Sequence, residues 1–192
     1  MKCLANMILS LLEKAGFRFI HSREAYLYGL SQWLFSVMSF SLLLLAGMVY
    51  GHLHESMILI LIFCLNQSFG GGFHADSHFK CLSTSLIGQC VFFVLLRLKT
   101  SVSYSTVITL LSLSILYSFP LVLHKNKMYL KRTKDSLISK SRRLVVVEGL
   151  TYLVFVLLSF SSLSRCISLA LLLSSLSRVC AIYINKSIVL YR

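Results

Sequence analysis

Residues 27 to 49 read LYGLSQWLFSVMSFSLLLLAGMV. The stretch holds no Asp, Glu, Lys or Arg, and it exceeds the about 20 apolar residues that cross a hydrocarbon layer. A soluble helix would keep a polar face, and this one has none. Its serines are tolerated in lipid because a hydroxyl can bond back to its own helix backbone. The same texture recurs at 53–66, 82–96, 102–123, 144–163 and 166–184. The segment 102–123 is also long enough to span, whereas 53–66 and 82–96 are short and compatible with re-entrant geometry. Little more than Ser164 and Arg165 separates the last two, which predicts a tight hairpin. The expected fold is all-α, a polytopic integral membrane protein with about six membrane segments.

Composition points the same way. Of 192 residues, 57% are hydrophobic, more than one soluble domain of this size can hide. The formal charge of +13 would suggest nucleic acid on a soluble chain. Here the positive charge lies between apolar segments. That pattern predicts membrane orientation, contact with anionic lipid and an acidic partner, with no role for nucleic acid. With a cytoplasmic N-terminus and six crossings, only Arg97, Lys99 and Arg165 of the basic residues fall outside. Both termini, the basic loop 124–143 and the cluster described next are then cytoplasmic.

At the start, Leu4, Met7, Ile8, Leu11, Leu12 and Ala15 follow helical spacing. Residues 1–25 are expected to form an amphipathic segment, lying on the membrane surface or packed against the protein. Glu13 and Lys14 interrupt any signal-peptide reading. Trp33, Tyr26 and Tyr28 suit an interfacial aromatic belt. No repeat or Pro-rich linker divides the chain, so 1–192 is expected to be one membrane-embedded domain.

GGGFHADSHFKC, residues 70–81, breaks the apolar texture. A catalytic thiol needs a base within reach and gains from positive surroundings. His74 and Cys81 are seven residues apart. A straight helix would set them about 10.5 Å apart along its axis, too far for easy proton transfer. A break between them is therefore expected, with Gly70, Gly71 and Gly72 shaping the approach. Irregular backbone at membrane depth needs protein or a wet cavity over it. Lys80 lies beside the thiol. Asp76, Ser77 and Asn66 are candidates to orient His74 or contact substrate. The other cysteines, at 3, 64, 90, 166 and 180, form no Cys-x-x-Cys pair, and those in apolar runs read as buried, inert thiols. The same cluster leaves a metal reading open: His74, Asp76, His78 and Cys81 are all ligand types, with His74 and His78 at i, i+4. A small non-enzymatic transporter or scaffold is the other alternative.

Gly71, Gly72, Phe73 and His74, followed by Cys81, resemble the accessory gene regulator B family of membrane cysteine endopeptidases, which act in bacterial quorum sensing. The N-terminal amphipathic stretch, about six spans, Pro120 and the basic run that follows extend the resemblance along the chain. It implies Cys81 as nucleophile, His74 as base, no cofactor or metal, a homodimer and a bacterial plasma-membrane location. The implied substrate is a small pro-peptide with an amphipathic leader and an acidic tail, cyclised to a thiolactone or lactone. Lys80, Lys125, Lys127, Lys131 and Arg132 would attract the tail. One departure stands out: Gln67 occupies the position where the family usually has Arg, and would orient the site or contact substrate without a charge.

Overall fold

The computed structural model describes residues 2–17, 22–73, 77–98, 100–123, 131–183 and 188–190, with backbone alone for residues 2, 78, 123, 131–133 and 188–190. Among the described residues it is an all-α protein of seven helices, with one short pair of strands. The helices are α1 (Lys2–Lys14), α2 (Arg23–Val49), α3 (Leu53–Gly70), α4 (His78–Arg97), α5 (Val102–Ser118), α6 (Lys131–Leu157) and α7 (Ser161–Tyr183). Four of them, α2, α3, α4 and α7, are long and apolar enough to cross a membrane. The chain packs as two compact units, Met1–Ala46 and Gly47–Arg192.

In the first unit, α1 leaves Leu4, Met7, Leu11 and Leu12 exposed, as an interfacial amphipathic helix requires. Arg23 ties the start of α2 to α1 through Glu13, at 3.0 Å, and Asn6. Tyr28 and Trp33 are exposed on α2.

The second unit is organised around α7, which packs on α3, α4, α5 and α6. Half of its span is buried, 50% against 22% for α3 and 17% for α4. Leu59, Ile62, Phe92, Phe93, Leu116, Tyr152, Ile167 and Leu171 form the apolar core. The outer faces stay apolar: Leu61, Val94, Leu110, Leu111, Val147 and Leu150 are all exposed. Water would penalise such a surface and lipid does not. The packing of α5 and α7 includes small residues. Ser105, Thr109 and Ser112 of α5 are buried, as are Ser164, Ser168 and Ala170 of α7. Ser168 donates across the interface to the Ser105 carbonyl at 2.9 Å. Without a hydrophobic force between helices in lipid, close backbone approach and such bonds hold the pair together. Other hydroxyls bond to the preceding turn, as Thr109 does to Ser105 and Ser114 to Leu110.

Four expectations change. The hairpin falls at 158–160 rather than at Ser164 and Arg165, which lie inside α7. The segment 102–123 is not one span: α5 stops at Ser118, and Leu121–Leu123 forms β1. Pro120 lacks the N–H that a continuing helix would use. Strand β1 pairs antiparallel with β2 (Ile188–Leu190), Val122 facing Val189. The basic stretch 124–143 is not all loop either, because 131–143 is the first half of α6. Lys and Arg favour helix, and no proline interrupts them. Finally, not all the cysteines in apolar runs are buried: Cys166 is, Cys64 and Cys180 are half-buried, and Cys90 is exposed. A thiol is apolar enough to face lipid.

Candidate active site

Asn66 and Gln67 occupy the last turn of α3, which ends at Gly70. Gly71 then adopts φ +70° and ψ −179°, a conformation that side chains other than glycine's essentially exclude. A Cβ there would also run into the carbonyl oxygen of Val122 in β1. At Gly70 it would collide with the Arg178 guanidinium, and at Gly72 with the Gln67 amide. The glycine run thus ends α3 and lets three neighbours close over it. Gly72 is buried, so the irregular backbone is covered by protein.

Helix α4 begins at His78, capped by Ser77, whose backbone is extended at φ −131° and ψ 149°. The Ser77 hydroxyl accepts the Lys80 N–H at 3.3 Å. Cys81 sits in the first turn, its N–H on the Ser77 carbonyl at 3.0 Å. It is half-buried, and Lys80 is exposed. No acidic residue occupies that turn. The sulfur therefore lies near the positive end of a helix dipole, where an anion is favoured. The extended Ser77 caps α4 between His74 and Cys81, so the two do not share one straight helix. The same break removes the single-helix spacing on which the metal reading relied, because His74 precedes the cap of α4. His74, Asp76, Lys125 and Lys127 lie outside the described residues, as do the side chains of His78, Lys131 and Arg132.

Behind the glycine run lies a network that sequence reasoning missed. Arg178 of α7 is fully buried, although its charge had counted among the cytoplasmic ones. Its guanidinium donates to the carbonyls of Leu116 and Phe119 at 2.8 and 2.9 Å, which are orphan acceptors at the end of α5. It also reaches the carbonyl and side-chain oxygen of Asn66, both at 3.3 Å, and the Ser141 hydroxyl at 3.4 Å. Asn66 in turn donates to the Ile62 carbonyl and to buried Glu148 at 2.7 Å. Its amide is thus occupied by Glu148 and Arg178. Gln67 donates to the Ser177 hydroxyl at 2.9 Å, and the same hydroxyl accepts the Phe73 N–H at 3.2 Å. The available signal was an Arg and a Glu inside apolar segments, which lipid makes costly unless they are paired.

On the outer side of α6, Arg142 stands over the Tyr117 ring at 5.3 Å from its centre. Arg143, Ser139 and Asp135 complete a groove of about 800 Å³. Together these elements place a thiol at a helix start and a covered glycine turn before it, and α6 carries a basic groove.

A model of the accessory gene regulator B family matches residues 2–178. A Clostridium perfringens protein named AgrB-like protein 1 is 30% identical over 139 residues, covering 71% of this chain and 72% of its own. No solved structure matches the chain.

Proposed function

The chain belongs to the accessory gene regulator B family, and on that premise we propose that it is a membrane cysteine endopeptidase that cleaves and cyclises a signalling pro-peptide. Membership carries a role in accessory gene regulator peptide processing, at a membrane. The observation that supports the chemistry is the position of Cys81, in the first turn of α4, a few residues after the covered glycine turn 70–72.

His74 takes the Cys81 proton, and the sulfur attacks the carbonyl that ends the peptide's core. The tetrahedral intermediate collapses, His74 returns the proton to the amine of the tail, and the tail leaves. The core is now a thioester on Cys81. A core thiol or hydroxyl then attacks that carbonyl, loses its proton, and releases Cys81 as the ring closes. Exchange of one thioester for another is nearly balanced in energy. Loss of the tail and exclusion of water from the acyl-enzyme favour the ring over hydrolysis. The acidic tail suits Lys80, the basic first half of α6 and its Arg142–Arg143 groove. In this reading the protein is multi-pass, with the site and both termini cytoplasmic, and it works as a homodimer.

The test uses purified protein in liposomes with pro-peptides encoded beside its gene. Mass spectrometry should find core peptide covalently held at Cys81, and Cys81→Ala should abolish both adduct and tail release. Tail release that survives Cys81→Ala would overturn the proposal.

A further inference from the structure

We infer that Arg178 and Ser177, adjacent on α7, form a clamp that holds the Gly70–Phe73 turn leading into His74, and that Arg178 is a positioning residue for the proposed reaction at Cys81. The inference rests on the proposed Cys81–His74 chemistry and extends it to a helix about 100 residues away in sequence.

The two side chains hold different parts of one turn. Ser177 accepts from Gln67 on α3 and from the N–H of Phe73, the residue immediately before His74. Its single hydroxyl thus joins the last turn of α3 to the far side of the glycine run. Arg178 holds the near side. It takes the Asn66 carbonyl and side chain, and with its other terminal nitrogen the open end of α5. Strand β1 follows α5 after Pro120, and its Val122 carbonyl is the surface against which Gly71 packs. The guanidinium therefore fixes both the turn and the wall behind it. Gly70 is the reciprocal feature, since a Cβ there would fill the space of the guanidinium.

Packing alone does not explain an arginine at this position. A buried cation is costly, and an apolar side chain of similar volume would fill the space at less expense. The fork is suited to several fixed acceptors at once, which a lysine cannot match. Glu148, bonded to the same Asn66 amide, supplies the opposite charge in the cluster. Ser141 of α6 is the remaining acceptor, so the guanidinium reaches α3, α6 and the end of α5 from α7. The result is a polar knot where the chain leaves helix after α3 and α5.

The experiment compares full-length protein in liposomes as wild type, Arg178→Lys, Arg178→Gln/Glu148→Gln, Ser177→Ala and His74→Ala. Each is read by thermal unfolding, by the pH profile of Cys81 alkylation, and by kcat and KM for tail release. The double variant removes both buried charges together, so neither is left unpaired. It should lower kcat by about 100-fold, with KM within about threefold, and move the alkylation profile toward that of an ordinary thiol. Arg178→Lys should recover part of kcat, and Ser177→Ala should lower it about tenfold. A folded double variant with wild-type kcat and alkylation profile would overturn the inference. If the double variant does not fold, Ser177→Ala decides, and unchanged kcat there overturns it. A changed profile in His74→Ala beside an unchanged one in the double variant removes this inference alone. A wild-type profile in His74→Ala removes the dyad, and the clamp with it.

Discussion

Replacing Gly71 with alanine tests how tightly the turn is built. The residue sits at φ +70° and ψ −179°, where an L side chain pays about 1–3 kcal/mol in backbone strain. The new methyl would also overlap the Val122 carbonyl oxygen. That oxygen belongs to main chain held by β2 pairing and by buried Pro120, so it cannot swing aside as a flexible side chain would. Overpacking of this kind costs about 1–3 kcal/mol more. Either the fold absorbs the sum, or the turn shifts and the proposed reaction at Cys81 slows. The first outcome lowers the thermal midpoint. The second lowers cleavage by about tenfold for each 1.4 kcal/mol spent. Gly88→Ala is the control, because a Cβ there meets nothing within 4 Å. That change sits inside α4 and should be neutral or stabilising by about 0.5–1 kcal/mol. Both variants would be made in liposomes and followed by thermal unfolding and by mass spectrometry of tail release. If Gly71→Ala matched wild type in both measurements, the assignment of this turn would be wrong.

Further outcomes follow from the buried bonds and the charge distribution. Gln89 of α4 donates to the Ser56 hydroxyl of α3 at 2.9 Å, so Gln89→Leu should lower stability by about 1 kcal/mol in thermal unfolding while leaving kcat near wild type. Glu148→Leu strips Arg178 of its countercharge and should destabilise by about 3–5 kcal/mol, whereas Glu148→Gln keeps an acceptor for Asn66 and should lose less by the same measure. Changing Lys134, Lys140, Arg142 and Arg143 to Gln should raise KM for an acidic-tailed peptide more at low salt than at high salt, and a salt-independent effect would point away from tail attraction. Ser168→Ala removes the bond from α7 to the Ser105 carbonyl and should cost about 1 kcal/mol without changing the reaction.

The membrane-embedded helical fold was legible because lipid imposes it one segment at a time. Each run such as 27–49 satisfies its own backbone bonds, so length and apolarity suffice to identify it. The glycine run was legible as a break for a similar reason, and the helix start at Ser77 and His78 confirms that break. What the pattern could not reveal was where Pro120 would send the chain. The apolar residues Leu121–Leu123 read as the tail of a span, but they pair with Ile188–Leu190, more than 60 residues later. No local period encodes a partner at that distance. The basic run was similarly read as a loop because charge says which side of a membrane a segment prefers, not whether it is helical.

Sequence by itself determined that this chain is helical, that it belongs in a membrane, and that the glycine run at 70–72 interrupts its helices. Those properties depend on the residues of one segment and the solvent around it. Only the tertiary structure decided that Arg178, counted as a surface charge, lies buried against Asn66, Ser141 and the end of α5. It also decided why all three glycines are needed, since each closes against a neighbour from elsewhere in the fold or from the preceding turn. A buried cation is stable only where several acceptors converge, and that convergence exists only after four helices have packed.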